Sequence, residues 1–111
     1  MTKPLAWAHK NIKEMLQSPP MSSKARLEIG FLLRLLQEGE LLTLPHSRPM
    51  NTIGGACHEL GVSDGEQCWR VIYYLGEVAV YILEVFNKKT QKTPTAVIEI
   101  CRKRLGRIKV L

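Results

Sequence analysis

Residues 56–86 read ACHELGVSDGEQCWRVIYYLGEVAVYILEVF. Two turn signals, Ser63-Asp64-Gly65 and Gly76-Glu77, divide the stretch into runs rich in β-branched and aromatic residues, which predicts strands over 56–62, 67–74 and 78–86. Links this short join antiparallel neighbours, because a parallel pair needs a crossover of a dozen or more residues. The third run is almost wholly apolar, the composition of a central strand buried on both faces. An antiparallel meander is therefore the centre around which the rest is placed.

Towards the N-terminus the period changes from two to that of a helix. Ile29, Leu32, Leu33 and Leu36 form one apolar stripe, broadened by Leu27, Phe31 and Leu35, with Ser22 or Ser23 as cap and Gly39 as stop. A shorter helix carries Ile12, Met15 and Leu16, capped by Asn11 and ended by Pro19-Pro20. Before it, Leu5-Ala6-Trp7-Ala8 has the character of an edge strand. Residues 44–50 contain Pro45 and Pro49 and read as an irregular connector running to Gly54-Gly55. Towards the C-terminus, Thr93-Pro94 opens a last helix with Val97, Ile98, Cys101 and Leu105 buried, and Gly106 is expected to end it. The expectation is an α+β fold: two N-terminal helices, an antiparallel β-sheet of three to four strands, and a C-terminal helix, with helices covering one sheet face.

At 111 residues the chain suits one domain, residues 1–111. It has no apolar run of the roughly 20 residues that span a bilayer, and its first residues lack a secretion signal, so a cytoplasmic protein with no membrane partner is expected. Cys57, Cys68 and Cys101 are odd in number and lack CxxC spacing, which predicts reduced thiols. His46, Cys57, His58 and Cys68 offer ligand atoms but no paired spacing, so neither a metal site nor a cofactor is expected. Charge is uneven. Residues 1–87 hold eight Lys/Arg against nine Asp/Glu, whereas residues 88–111 hold eight Lys/Arg against Glu99 alone. Such a segment attracts a polyanion, with nucleic acid the obvious candidate, or serves as a solvated helical face. Arg102, Lys103 and Arg104 also complement the negative end of the last helix.

Several blocks occur in a telling order: Leu36-Gln37-Glu38-Gly39-Glu40, His46-Ser47-Arg48-Pro49-Met50, Ile53-Gly54-Gly55, His58-Glu59-Leu60, Trp69-Arg70-Val71-Ile72-Tyr73 and Lys88-Lys89-Thr90-Gln91-Lys92-Thr93-Pro94. In this the chain resembles the phage-derived, HigB-like branch of the RelE/ParE toxin superfamily along almost its whole length. The resemblance implies a RelE-like fold and a type II toxin: a ribosome-dependent mRNA endoribonuclease in which the RNA 2′-OH attacks the adjacent phosphate without a metal. It also implies a helix-turn-helix antitoxin as partner and mRNA on the ribosome as substrate. Two further functions share the fold: a ParE-like toxin that poisons gyrase as a protein ligand, and a remnant that only binds RNA or antitoxin.

The same resemblance assigns roles. Arg70 falls where the family carries a catalytic arginine, and a guanidinium presents donors in a fork suited to two phosphate oxygens. By residue type alone, Arg70 reads instead as an arginine paired with a sheet carboxylate such as Glu84. Lys88 and Lys89 follow the third strand, where the superfamily places a second basic catalytic position. Arg48, Lys92 and His46 are RNA-contact candidates, and His58 is a candidate for proton transfer or a structural hydrogen bond. Tyr73, three residues from Arg70, is expected on the opposite face, in the core or stacking on RNA. Gly61 stands where relatives commonly have arginine, and Tyr74 where a further basic residue is frequent; the loss of two cationic contacts points to attenuated activity, a different use of His58 or lost toxicity. Gly61 also weakens a strand interior.

Overall fold

The computed structural model describes residues 2–89 and 91–110. Strand β1 (Leu5–Trp7) comes first, followed by helices α1 (Lys10–Met15) and α2 (Ser23–Gln37), strands β2 (Ser47–Pro49), β3 (Cys57–Asp64), β4 (Gln67–Leu75) and β5 (Val80–Asn87), and helix α3 (Thr95–Val110). They build one five-stranded sheet in the order β1-β5-β4-β3-β2, antiparallel throughout except for β1, which runs parallel to β5.

This corrects the expected arrangement of two leading helices and an antiparallel sheet of three to four strands. The sheet is mixed, it has five strands, and the first of them precedes the helices. Leu5-Ala6-Trp7 closes the edge beside β5, with Val80 N–H donating to Pro4 O and Ala8 N–H to Ile82 O, each at 3.0 Å. Three residues carry too little periodicity to show pairing, and the partner lies far along the chain, so nothing local reveals a parallel edge. Strand β2 hides for another reason: it ends in Pro49, which lacks an N–H and is tolerated only at an edge. The meander itself is as anticipated, although the middle strand is β4 rather than the apolar third run. Its first hairpin turns through Gly65 at φ +63°, the left-handed region that glycine enters without steric cost.

Helices cover both faces, not one. Ile12 of α1 and Ala25, Ile29, Leu32, Leu33 and Leu36 of α2 pack with Leu60, Val62, Trp69, Val71, Tyr73, Val80, Ile82 and Val85. On the other face Cys101 and Leu105 of α3 pack with Met50, Ile53, Cys57, Ile72 and Leu83. The stripe expected of α2 is therefore its buried face, while Leu27 and Phe31 are exposed. Ser22 caps α2 by accepting from Ala25 N–H at 3.1 Å, and Gly39 at φ +92° follows its end. His9 rather than Asn11 caps α1. Gly106 does not end α3, which continues to Val110; one glycine costs a helix only about 1 kcal/mol relative to alanine.

Between Ile72 and Tyr73 the β4–β5 register slips, so that Ile72 faces Glu84 and Tyr73 faces Ile82, leaving Leu83 as the extra residue of a bulge. Glu84 thereby meets α3, where it pairs with Arg104 at 3.5 Å. Among the described residues no helix is long and apolar enough to cross a membrane.

Candidate anion-binding site

Pleating decides what the site contains. In β3, Leu60 and Val62 enter the α2 core, so Cys57, Glu59 and Gly61 project to the α3 face. In β4, Trp69, Val71 and Tyr73 enter the α2 core, which turns Arg70 and Ile72 the same way as Glu59. Helix α3 covers the Cys57–Ile72 end of this face with Cys101 and Leu105. The Glu59–Arg70 end stays open and floors a pocket of about 580 Å³, lined by Leu44, Pro45, His46, Ser47, Arg48, Glu59, Cys68, Arg70, Lys88, Lys89 and Gln91.

At its base lies a carboxylate that is 2% exposed. Oε1 of Glu59 accepts from Lys88 Nζ at 2.9 Å, lies 3.1 Å from Arg48 Nη2 and is 3.9 Å from Arg70 Nε. Oε2 accepts from the Thr93 hydroxyl. One side chain thus ties together β2, β4, the end of β5 and the segment leading into α3. Burial alone would raise the Glu59 pKa; the hydrogen bonds from Thr93 and Lys88, with the charges of Lys88 and Arg48, outweigh it and hold the carboxyl below its ordinary value. An ionised carboxylate beneath four cations leaves the pocket with an excess of three positive charges, the field of an anion site.

Gly61 explains how Arg70 reaches this carboxylate. The two residues are cross-strand partners, and a Cβ built on Gly61 would fall on Nη1 of Arg70 and lie 2.7 Å from its Cζ. The arginine lies flat across the bare backbone. Its Nε is buried and makes no hydrogen bond among the described residues, while the side chain is 29% exposed, so any donors it offers a ligand are its terminal nitrogens. The counterion expected of Arg70 by residue type, Glu84, is instead committed to Arg104.

The residues singled out from sequence separate into groups. Arg70, Lys88, Lys89, Arg48 and His46 line one pocket, with His46 and Lys89 exposed at its rim. Lys92 lies in an adjoining groove that shares Arg48 and Gln91 with the pocket and reaches Thr93 and Thr95 at the start of α3. His58 does not join them. It projects from β3 on the opposite side to Glu59, stacks on Tyr73 at 5.4 Å between ring centroids, and lines a separate apolar pocket with Leu42, Leu44 and Pro49. A strand sends adjacent residues to opposite faces, so His58 and Glu59 cannot serve one site. Tyr73 is buried on that far face as expected, its hydroxyl 2.6 Å from Ser47 Oγ.

The C-terminal cations also divide. Arg104 bonds to Leu83 O and pairs with Glu84, Arg102 donates to Thr52 O at 2.6 Å, and Lys109 lies 5.5 Å from the Tyr74 ring centroid. These hold α3 to the sheet and to the β2–β3 connector, so the basic segment is partly structural. Burial pushes the Cys57 thiol up and, with Glu84 nearby, that of Cys101 up to about 12, which keeps both protonated and unreactive. Among the described residues no group of three or more His, Cys, Asp or Glu side chains gathers as a metal site.

Sequence reasoning missed Glu59 and Thr93. Thr93 was read only as part of the Thr93-Pro94 pair that opens the last helix, and its hydroxyl goes to the carboxylate. For Glu59 the signal was present: alternation in 57–62 sets it beside Gly61, opposite the α2 core, and a lone acid on such a face needs cationic partners. No curated protein matches the chain. Residues 19–106 match the family described as Phage derived protein Gp49-like (DUF891), a span that takes in every pocket residue, and the chain therefore belongs to this Gp49-like, phage-derived family.

Proposed function

We propose that this protein is the toxin of a type II toxin–antitoxin pair, of the HigB-like branch of the RelE/ParE superfamily, and that it cuts mRNA on the ribosome. Membership of a phage-derived family is consistent with a toxin. The observation that carries the endonuclease is the convergence of Arg48, Arg70, Lys88 and Lys89 on one open pocket, from β2, β4 and the end of β5.

In this mechanism the ribose 2′-oxygen attacks the adjacent phosphorus and loses its proton, the bond to the 5′-oxygen breaks, and that oxygen takes up a proton. The products are a 2′,3′-cyclic phosphate and a 5′-hydroxyl. Arg70 and Arg48 hold the non-bridging oxygens as charge grows on them, the kind of preorganised donation whose loss typically costs about 3 to 4 kcal/mol. Lys88 fixes the field from beneath, while Lys89 and His46, which line the pocket and are exposed, exchange protons with solvent and RNA. His58 takes no part. Gly61, where relatives carry arginine, supports activity here because its missing side chain is the space that Arg70 occupies.

Translation of a defined transcript with purified protein tests the proposal. Cuts within the translated region, ending in a 2′,3′-cyclic phosphate and absent when translation is blocked, are expected. Intact transcripts together with inhibited gyrase supercoiling would replace it with the ParE-like reading. The silencing partner is a helix-turn-helix antitoxin, and rescue of growth by co-expression of such a regulator encoded beside the gene is the expected outcome.

A further inference from the structure

We propose that Glu59 is a positioning residue that orders the arginines of the ligand-free pocket, so that RNA binding hands Arg48 from carboxylate to phosphate and draws in Arg70, which the carboxylate holds by charge without a hydrogen bond, while Lys88 and Thr93 keep the carboxylate in place. The inference rests on the pocket being an RNA phosphate site.

The partners of Glu59 are unequal. Lys88 Nζ, at 2.9 Å, belongs to a side chain only 3% exposed, and the Thr93 hydroxyl holds the second oxygen in a buried position. Those two contacts anchor the carboxylate from within. The arginines approach from the solvent side: the Arg48 side chain is 43% exposed and that of Arg70 is 29% exposed. Arg48 offers one nitrogen at 3.1 Å, and Arg70 stands at 3.9 Å with its Nε unbonded, too far for a hydrogen bond. A guanidinium has five N–H donors arranged to suit carboxylate and phosphate alike, so both arginines are held in place yet far from saturated.

Two opposed consequences follow for RNA. The carboxylate orders cations that would otherwise repel one another, which favours the transition state. It also competes with the phosphate for the same donors and repels it, which weakens the ground-state complex. A residue that only supported the fold would lower binding and cleavage together, in proportion to the folded protein lost.

The experiment compares wild type with Glu59→Gln at matched folded concentration. Binding is measured with a fluorescent 2′-O-methyl oligoribonucleotide, which lacks the attacking hydroxyl, and cleavage with the 2′-hydroxyl transcript on programmed ribosomes. Glu59→Gln is expected to bind about five- to tenfold tighter, as removal of one nearby negative charge implies, and to cleave at least about tenfold more slowly once bound. Equal or weaker binding by the variant overturns the proposal. A second arm needs only wild type: inorganic phosphate should shift the Nε–Hε NMR signals of Arg48 and Arg70 and leave the Thr93 amide signal in place, and arginine signals that ignore phosphate refute the hand-over even if the variant does not fold. Because that arm contains no RNA, arginines that move to phosphate in a protein that cuts nothing would sink the endonuclease and keep the hand-over, and the converse result would sink the hand-over alone.

Discussion

The two faces of β3 are built from the same eight residues and do different work. On one, His58, Leu60 and Val62 lie against Tyr73, Val71 and Trp69, and the polar groups there serve packing: the imidazole stacks and the Tyr73 hydroxyl meets Ser47. On the other, Glu59 and Gly61 receive Arg70, Arg48 and Lys88. A histidine attracts attention because it titrates near neutral pH. Here the neighbouring glutamate and glycine shape the site, one by charge and the other by absence of a side chain. Sheet parity, more than residue chemistry, decides which polar groups of this strand meet the cationic pocket.

Removal of the buried partner on the charged face should have the largest effect. Lys88→Met leaves Glu59 buried with its closest cation gone, and loss of one member of such a pair costs about 3 kcal/mol or more; denaturant unfolding should show that loss, and cleavage should fail as well. Gly61→Ala sharpens the comparison because its effects on activity and stability should part. The new methyl displaces Arg70, so cleavage should fall by about ten- to a hundredfold. The alanine relieves the entropic cost of glycine in a strand, about 0.5–1 kcal/mol, so the unfolding midpoint should hold or rise. Parallel losses would mean that Gly61 serves only the fold.

A pH series isolates the carboxylate. The folded-state pKa of Glu59 lies below the ordinary 4.5, so its contribution is fully present above that value and is lost as pH falls through it towards the folded pKa. Wild type should therefore lose stability from about pH 5 downwards more steeply than Glu59→Gln, with the difference between them constant from pH 6 to 8. Asp64, whose carboxyl is lowered by hydrogen bonds from Ser22 and Trp69, is common to both proteins and cancels. The smallest effect belongs to the packing face: His58→Phe keeps a ring against Tyr73 and should change cleavage by no more than about threefold, since it touches none of the donors around Glu59. A loss of a hundredfold would return the histidine to the chemistry.

Much of the fold was legible where the pattern is local and long. The stripe from Ile29 to Leu36 and the three runs of the meander were read directly from periodicity. Leu5-Ala6-Trp7 was legible as an edge strand, but its parallel pairing with β5 and the existence of β2 were not, because each is three residues long and depends on a partner elsewhere in the chain. Coverage of both sheet faces escaped notice for a related reason: Val97, Cys101 and Leu105 show that α3 has a buried side but not which side of the sheet receives it. Of the site, Arg70, Lys88, Lys89 and Arg48 were found through resemblance. Glu59 was missed because a glutamate reads as solvated, and Gly61 was read as a lost contact and a weak point in the strand, until register sets it opposite Arg70 and a pocket closes around Glu59.

The proposed activity turns on the Arg70 guanidinium stabilising charge on an RNA phosphate in this pocket. It is tested most directly by single-turnover cleavage of one transcript on programmed ribosomes, with wild type and Arg70→Ala at equal folded concentration. A reduction of about a hundred- to a thousandfold is expected in the variant, with an unfolding midpoint close to that of wild type. Equal cleavage by the two proteins would contradict it.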